Sequence, residues 1–347
     1  VLKLEKHIIN QQDSIKSVLE LLTDLGSNLT LFVVDDDKKL IGVITDGDIR
    51  RGLVKNVHLT QPVCDVMNTN FRFLVENQIS IEKLNEYRKS GILLIPIVSQ
   101  SNEIIKIINL SELKSIIPVD AVLMAGGKGE RLLPLTKETP KPLLEVGGKP
   151  IIKRNIELLA SYGITNLILS VNYLANKIID KIGNGGDDIK ISYIIEDKPL
   201  GTLGSLSLTK NYQHETVVIM NADILTNINF EDFYKYFVLE KADMAIATMS
   251  YKVNIPYAVL ETHENNIKSF KEKPTYTYFS NAGIYLIKRE LINEIPVNEY
   301  YNATDLITKL LDLNKKVISY PILGYWLDIG RHEDFEKAQI DINHITF

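Results

Sequence analysis

The stretch Leu123-Met124-Ala125-Gly126-Gly127-Lys128-Gly129-Glu130-Arg131-Leu132-Leu133-Pro134-Leu135-Thr136, followed shortly by Pro140-Lys141-Pro142-Leu143-Leu144, decides how the chain is read. Val119 to Ala125 forms a short apolar run and predicts a buried strand. Glycines placed directly after a strand let backbone N–H groups approach an anion closely. Two well-known phosphate loops do not fit. A dinucleotide fingerprint needs glycine at the position held by Leu132, and a Walker A loop opened by Gly126 needs glycine at the position held by Arg131. The loop is therefore a phosphate cradle of another kind.

The chain around it has 347 residues, 45% hydrophobic and 24% charged, an ordinary globular composition with room for about two domains. Its 39 basic and 44 acidic residues leave a net charge of −5, which argues against a dedicated nucleic-acid binder. The apolar run Ile92 to Val98 is far shorter than the ~20 residues of a membrane span, so no membrane partner is expected. A single cysteine, Cys64, can form neither an intramolecular disulfide nor a multi-cysteine zinc site, and the six histidines show no ligand spacing. The first residues lack the layout of a signal peptide, and a cytoplasmic setting is the expectation.

The character of the sequence changes near Pro118. Before it, one order of elements occurs twice. Ile15 to Leu25 predicts a helix, Leu29 to Val34 and Leu40 to Thr45 predict strands, and Asp46 to Leu53 a second helix. Ile79 to Tyr87, Leu93 to Val98 and Ile104 to Asn109 repeat that order, and Ser111 is expected to begin a short helix. Gly42 to Asp48 aligns with Lys106 to Glu112, and two such units can complete one core. Residues 1–117 resemble a tandem pair of CBS domains, on the string Leu40-Ile41-Gly42-Val43-Ile44-Thr45-Asp46-Gly47-Asp48-Ile49-Arg50. The resemblance implies that Thr45 and Asp48 face the phosphate and ribose of an adenine or guanine nucleotide. The second copy has Asn109 and Glu112 at those places. A purely dimerising role is the other reading, and a homo-oligomer, dimer or higher, is expected.

Residues 118–347 form the second expected domain. Its long composite signature is similar to that of the sugar-1-phosphate nucleotidyltransferases. The resemblance implies an α/β fold with a doubly wound, mostly parallel, Rossmann-like sheet. It also implies a reaction in which a sugar 1-phosphate oxygen attacks the α-phosphorus of a nucleoside triphosphate. Both reactants are anions, so the site has to neutralise charge and align the attack, and no protein nucleophile is required. Arg131 and Lys141 are the expected triphosphate cations, one forked and one a point charge. Leu123, Ala125, Gly126, Gly127 and Gly129 are expected at the nucleotide. So are Glu196, Gly201 and Thr202, from the string Glu196-Asp197-Lys198-Pro199-Leu200-Gly201-Thr202-Leu203-Gly204-Ser205. Asp223, at the end of the apolar run Val217 to Asp223, is expected to bind nucleotide and Mg²⁺. Its partner is Asp328, in Gly324-Tyr325-Trp326-Leu327-Asp328-Ile329-Gly330. Two carboxylates suit a hard cation that also takes phosphate oxygens and water.

Gly204, Tyr257, Ala258, Glu272, Asn281 and Gly283 are the expected sugar contacts, and Lys273 of Glu272-Lys273-Pro274 the expected sugar-phosphate cation. Asp187-Asp188 and Gly147-Gly148 read as turns. The combination of CBS pair and transferase resembles guanylyltransferases that activate amino-sugar phosphates for bacterial nine-carbon sugar acids of the legionaminic type. It implies GTP and glucosamine 1-phosphate as substrates. The alternatives are mannose or glucose 1-phosphate with another base, a cytidylyl- or molybdopterin-type transferase, and a catalytically silent nucleotide sensor.

Overall fold

A computed structural model describes residues 4–26, 29–186 and 188–345. Asp187 and both chain ends lie outside the described residues. The chain divides into two compact units, Val1–Ile116 and Ile117–Phe347.

The first unit is a repeat. β1 (Ile8–Asn10), α1 (Ile15–Leu25), β2 (Thr30–Val34), β3 (Leu40–Thr45) and α2 (Asp46–Val54) make a three-stranded sheet of order β1-β2-β3 and two helices. β4 (Leu74–Val75), α3 (Ile81–Lys89), β5 (Leu94–Val98) and β6 (Ile104–Asn109) repeat it, with sheet order β4-β5-β6. In both copies the first pairing is parallel and the second antiparallel. Ser14 and Ser80 cap α1 and α3, each accepting from the backbone N–H three residues on. The second helix therefore starts two residues after the expected Ile79. Phe32 and Leu40 from one copy and Leu94, Val98 and Ile107 from the other form one buried cluster. Asn102 and Leu40 bond each other across the copies, N–H to carbonyl at 2.9 Å and side-chain amide to carbonyl at 2.7 Å. The helix expected at Ser111 is a turn. The Asn109 side chain accepts from both the N–H and the hydroxyl of Ser111 at 3.0 and 2.7 Å, a local bond that competes with helix propagation.

In the second unit, β7 (Asp120–Met124) leads through the hairpin β8 (Glu145–Val146) and β9 (Lys149–Pro150) to α4 (Ile151–Ser161). Gly147 and Gly148, with φ of 56° and 72°, make that hairpin's turn. Then follow β10 (Asn166–Val171), α5 (Ala175–Ile182), β11 (Lys190–Ile195), β12 (Thr216–Asn221), β13 (Ile224–Thr226) and α6 (Phe230–Leu239). β14 (Met244–Asn254), β15 (Val259–His263), β16 (Asn266–Lys271), β17 (Thr275–Lys288), α7 (Ala303–Asp312), β18 (Val317–Pro321), β19 (Trp326–Asp328) and α8 (His332–Asp341) complete it. The main sheet has seven strands in the order β11-β10-β7-β12-β17-β14-β18, and β17 alone runs against the others. The central strands are buried on both faces and read as continuous apolar runs, as strands covered on both faces do.

The chain leaves β7 toward β10 and β11, then returns to place β12 on the other side of β7. That reversal opens a crevice beyond the carboxyl ends of β7 and β12, where open α/β sheets bind ligands. Asn221 lies opposite Met124 there. Among the described residues no helix is long and apolar enough to cross a membrane.

Candidate active site

The glycine-rich loop rises from the end of β7. The Ala125 N–H donates to the Ser170 carbonyl at 2.8 Å, so the loop is anchored to β10 before it turns. Gly129 has φ of 64°, and a Cβ there would lie 2.9 Å from the Thr136 methyl and 3.1 Å from the Lys141 Cβ. Only glycine lets the loop fold back over Lys141 in this way. The Thr136 hydroxyl locks that return by donating to the Gly129 carbonyl at 2.8 Å. Gly127 and Lys128 are left exposed at the crest. Leu123 lies in the core beneath, opposite Leu169 and Met220 in the neighbouring strands.

Asp223 and Asp328 are distant in sequence and meet through a small ladder. β13 and β19 pair antiparallel with Ile224 opposite Asp328, and the Ile329 N–H donates to the Asp223 carbonyl at 3.1 Å. Lys141, itself buried, places its ammonium against Asp223 and 3.7 Å from Asp328. The Arg131 guanidinium lies over Gly330, where a Cβ would stand 3.2 Å from its nitrogen. Two cations and two carboxylates thus share the mouth of the crevice. Burial, and next the Asp223 charge, push the Asp328 carboxyl above the usual range, while Lys141 and Arg131 pull it back.

One oxygen of each carboxylate, Oδ1 of Asp223 and Oδ1 of Asp328, is sealed from solvent without a hydrogen-bond partner. Asp328 Oδ1 faces the Lys141 ammonium at 3.7 Å, beyond hydrogen-bond reach, so both oxygens keep lone pairs that a further cation could take. Among the described residues no group of three or more His, Cys, Asp and Glu side chains could hold a metal. The pair fits a hard divalent cation whose other ligands are phosphate oxygens and water.

Glu196 sits beside the loop, where a Cβ on Gly126 would lie 3.1 Å from its Oε1. Its carboxylate accepts from the Ser170 hydroxyl at 2.6 Å and from the Leu200 N–H at 3.1 Å. Gly201, Thr202 and Gly204 are stitched to the segment 299–302. The Thr202 hydroxyl donates to Asn302 Oδ1 at 3.2 Å, and Gly201, with φ of 76°, leaves no room for a side chain beside the Tyr301 carbonyl. Asn281 and Gly283 lie near the crevice. Gly283, with φ of 69°, brings β17 against the Asn221 side chain, and Trp326 donates to the Ala282 carbonyl at 2.9 Å. Tyr257, Ala258, Glu272 and Lys273 are not gathered with them. They flank the exposed hairpin β15–β16, beyond the Asn254–Thr275 end of the β14–β17 ribbon. From Asn281 to Thr275 the ribbon runs roughly 20 Å.

In the first unit, Thr45 and Asp48 form the cap of α2. Asp48 accepts from the Thr45 N–H and hydroxyl at 2.9 and 2.6 Å and from Arg51 at 2.6 Å. Residues absent from the sequence-based site are Asn155, Asn302 and Trp326. Asn155 had a readable signal, an amide on the apolar face of an amphipathic helix.

The family model described as nucleotidyl transferase matches residues 120–344, and that of the CBS domain matches residues 6–55. The chain is 29% identical over 228 residues to a D-glycero-alpha-D-manno-heptose 1-phosphate guanylyltransferase of Aneurinibacillus thermoaerophilus, covering 65% of this chain and 99% of that one. It is 28% identical over 225 residues to a mannose-1-phosphate guanyltransferase of Schizosaccharomyces pombe, and there the match spans 62% of each protein. Among solved structures, HddC from Yersinia pseudotuberculosis complexed with GMP-PN is similar with a TM-score of 0.51 and 27% identity. That match covers 65% of this chain and 99% of the other.

Proposed function

The chain belongs to the nucleotidyl transferase family, and from that premise we propose that it transfers a nucleoside monophosphate from a nucleoside triphosphate to a sugar 1-phosphate, with Mg²⁺ and with GTP as preferred donor. The observation that carries this reading is the Lys141 ammonium set between Asp223 and Asp328 under the loop that Gly129 folds back. The sugar-phosphate oxygen forms a bond to the α-phosphorus, the α–β bridging bond breaks, and pyrophosphate leaves with the electron pair. A divalent cation held by Asp223 and Asp328 would withdraw charge from the phosphates.

The chain's own groups do the rest. The exposed backbone at Gly127 and Lys128 offers N–H groups to the triphosphate. Arg131 and Lys141 neutralise it and hold it in line. Glu196 beside Gly126 offers a carboxylate to the N–H groups of a guanine edge. The two guanylyltransferase relatives and the GMP-PN complex of a similar fold support guanine. Glucosamine 1-phosphate, from the resemblance of the two-domain arrangement, is the first acceptor to test, with mannose and heptose 1-phosphates next. Thr45 and Asp48 in the CBS unit are the proposed contacts of a regulatory adenine or guanine nucleotide.

The test is pyrophosphate release over a matrix of nucleoside triphosphates and sugar 1-phosphates. GTP with one acceptor should exceed every other donor at least tenfold. Equal rates with UTP or dTTP would refute the choice of base, and no release with any pair would refute the activity.

A further inference from the structure

Asn155 lies on α4 and is 1% exposed. It shares the inward face of that helix with Ile152, Ile156 and Leu159. An amide in such a place destabilises the fold unless it is bonded, by about 1–3 kcal/mol. Its side-chain N–H donates to the Ala222 carbonyl at 3.3 Å. Ala222 immediately precedes Asp223, and its own N–H donates to the Met124 carbonyl at 3.0 Å. The carbonyl of Asp223 in turn accepts from Ile329, next to Asp328. The peptide units on both sides of Asp223 are therefore held, one by α4 and one by the strand that carries Asp328. Asp223 Oδ1 has no hydrogen bond of its own. Lys141 holds the other oxygen, Oδ2, so the aim of Oδ1 depends on that bond together with the two backbone restraints.

We propose that Asn155 is a positioning residue for Asp223, fixing the peptide that points its carboxylate at the cation position between it and Asp328. The inference rests on the reading of Asp223 and Asp328 as ligands of a divalent cation. Removing the amide leaves the Ala222 carbonyl without this donor, and the peptide before Asp223 becomes free to rotate. Groups that orient a metal ligand without touching the metal are worth about 10–100-fold in metal affinity.

The test is Mn²⁺ binding by electron paramagnetic resonance on the full chain with a non-hydrolysable GTP analogue present. Asn155→Leu and Asn155→Asp should each weaken Mn²⁺ binding about tenfold, and saturating metal should restore turnover to within about threefold. A merely structural role would lower the thermal midpoint and leave Mn²⁺ affinity unchanged; that result in folded variants overturns the proposal. Should neither variant fold, the wild-type chain decides. With asparagine labelled by ¹⁵N, the Asn155 side-chain amide signal should shift on adding Mg²⁺, and an unmoved signal overturns the proposal. Asp223→Ala separates the two levels. Unweakened Mn²⁺ binding in that variant removes the metal reading and the inference with it, whereas lost binding there with normal binding in both Asn155 variants removes the inference alone.

Discussion

Replacing Asp328 with Asn should stabilise the second unit while disabling it. Burial and the facing Asp223 raise the Asp328 carboxyl above its ordinary range, and Lys141 and Arg131 only partly oppose them. A carboxyl raised in the folded state favours folding when it is protonated. That contribution is complete below the unfolded value, near ~3.9, and is lost as pH rises through the folded value. At neutral pH the ionised Asp328 is therefore a cost. The Lys141 ammonium at 3.7 Å returns a gross attraction of about 4 kcal/mol at an effective dielectric of 20, less where water screens it. With 46% of the side chain exposed, much of every such term is screened, and the net gain from Asn should be about 1 kcal/mol. For a unit of this size that is a rise of roughly 2–4 °C in thermal midpoint. On the proposed role of Asp328 as a ligand of the divalent cation, turnover should fall at least ~10²-fold, as several kcal/mol of transition-state stabilisation are lost. The assay is calorimetry of both proteins in chelator at about pH 7 and about pH 4, paired with pyrophosphate release. A lower midpoint for the variant at pH 7, or a gain of equal size at both pH values, would refute the reasoning.

Three further outcomes are expected. Arg131→Ala should raise KM for the triphosphate more than that for the sugar 1-phosphate, and Lys273→Ala, at the far end of the ribbon, should change neither by more than about twofold; steady-state kinetics in which Lys273→Ala raises KM for the sugar 1-phosphate about tenfold would show that the ribbon closes on the crevice. Gly129→Ala should destabilise by about 1–2 kcal/mol and cut turnover more than tenfold, because a Cβ at φ of 64° meets Thr136 and Lys141; chemical denaturation and turnover at wild-type level would count against the cradle geometry. Asp48→Ala should weaken AMP, ADP, ATP or GTP binding by about 2 kcal/mol in calorimetric titration of the full chain, the scale of bonds to a charged group, and binding of none of them to the wild type at millimolar concentration would leave the CBS unit a dimerising module.

Much of the fold is legible in the sequence because periodicity and punctuation agree. The repeat is readable from Leu40 to Asp48 and its echo, and the strand–loop–strand frame from glycines after an apolar run. The Ser111 turn was hidden by analogy. Asn109 stands where Thr45 stands, but its longer amide reaches the Ser111 N–H, where Thr45 and Asp48 instead make a helix cap. The site is legible as residue types and only partly as an arrangement. Asp328 ends β19, as its string implies, whereas Asp223 lies two residues past β12, in the turn that leads into β13. That Lys141 lies between them depends on β13 and β19, each too short to leave a period in the sequence. Glu196 and Thr202 carry the expected motifs, yet both already bond within the fold, to Ser170 and Asn302.

The same dependence on partners lets a second aspartate serve as a control. Asp243 begins near β14 and is likewise partly buried, which by itself would raise its carboxyl. Hydrogen bonds from the Lys288 ammonium at 2.7 Å and the Lys316 N–H at 2.8 Å outweigh burial and hold it below the ordinary range. The sign is therefore opposite to that of Asp328. A lowered carboxyl contributes stability above the unfolded value, and that stability is lost as pH falls through the folded value. Asp243→Asn should destabilise at neutral pH by about 1–2 kcal/mol, the scale of hydrogen bonds to a charged group after screening. It should leave turnover near wild type, because Asp243 ties the start of β14 to Lys288 and Lys316 and touches none of the crevice residues. The difference between the two variants should shrink toward about pH 4, because the raised Asp328 carboxyl takes up its proton there while the lowered Asp243 stays ionised and keeps most of its contribution. If calorimetry instead gives the two substitutions the same sign at pH 7, the partners seen around each carboxylate do not govern its charge, and the assignment of Asp328 as a strained functional group fails with it.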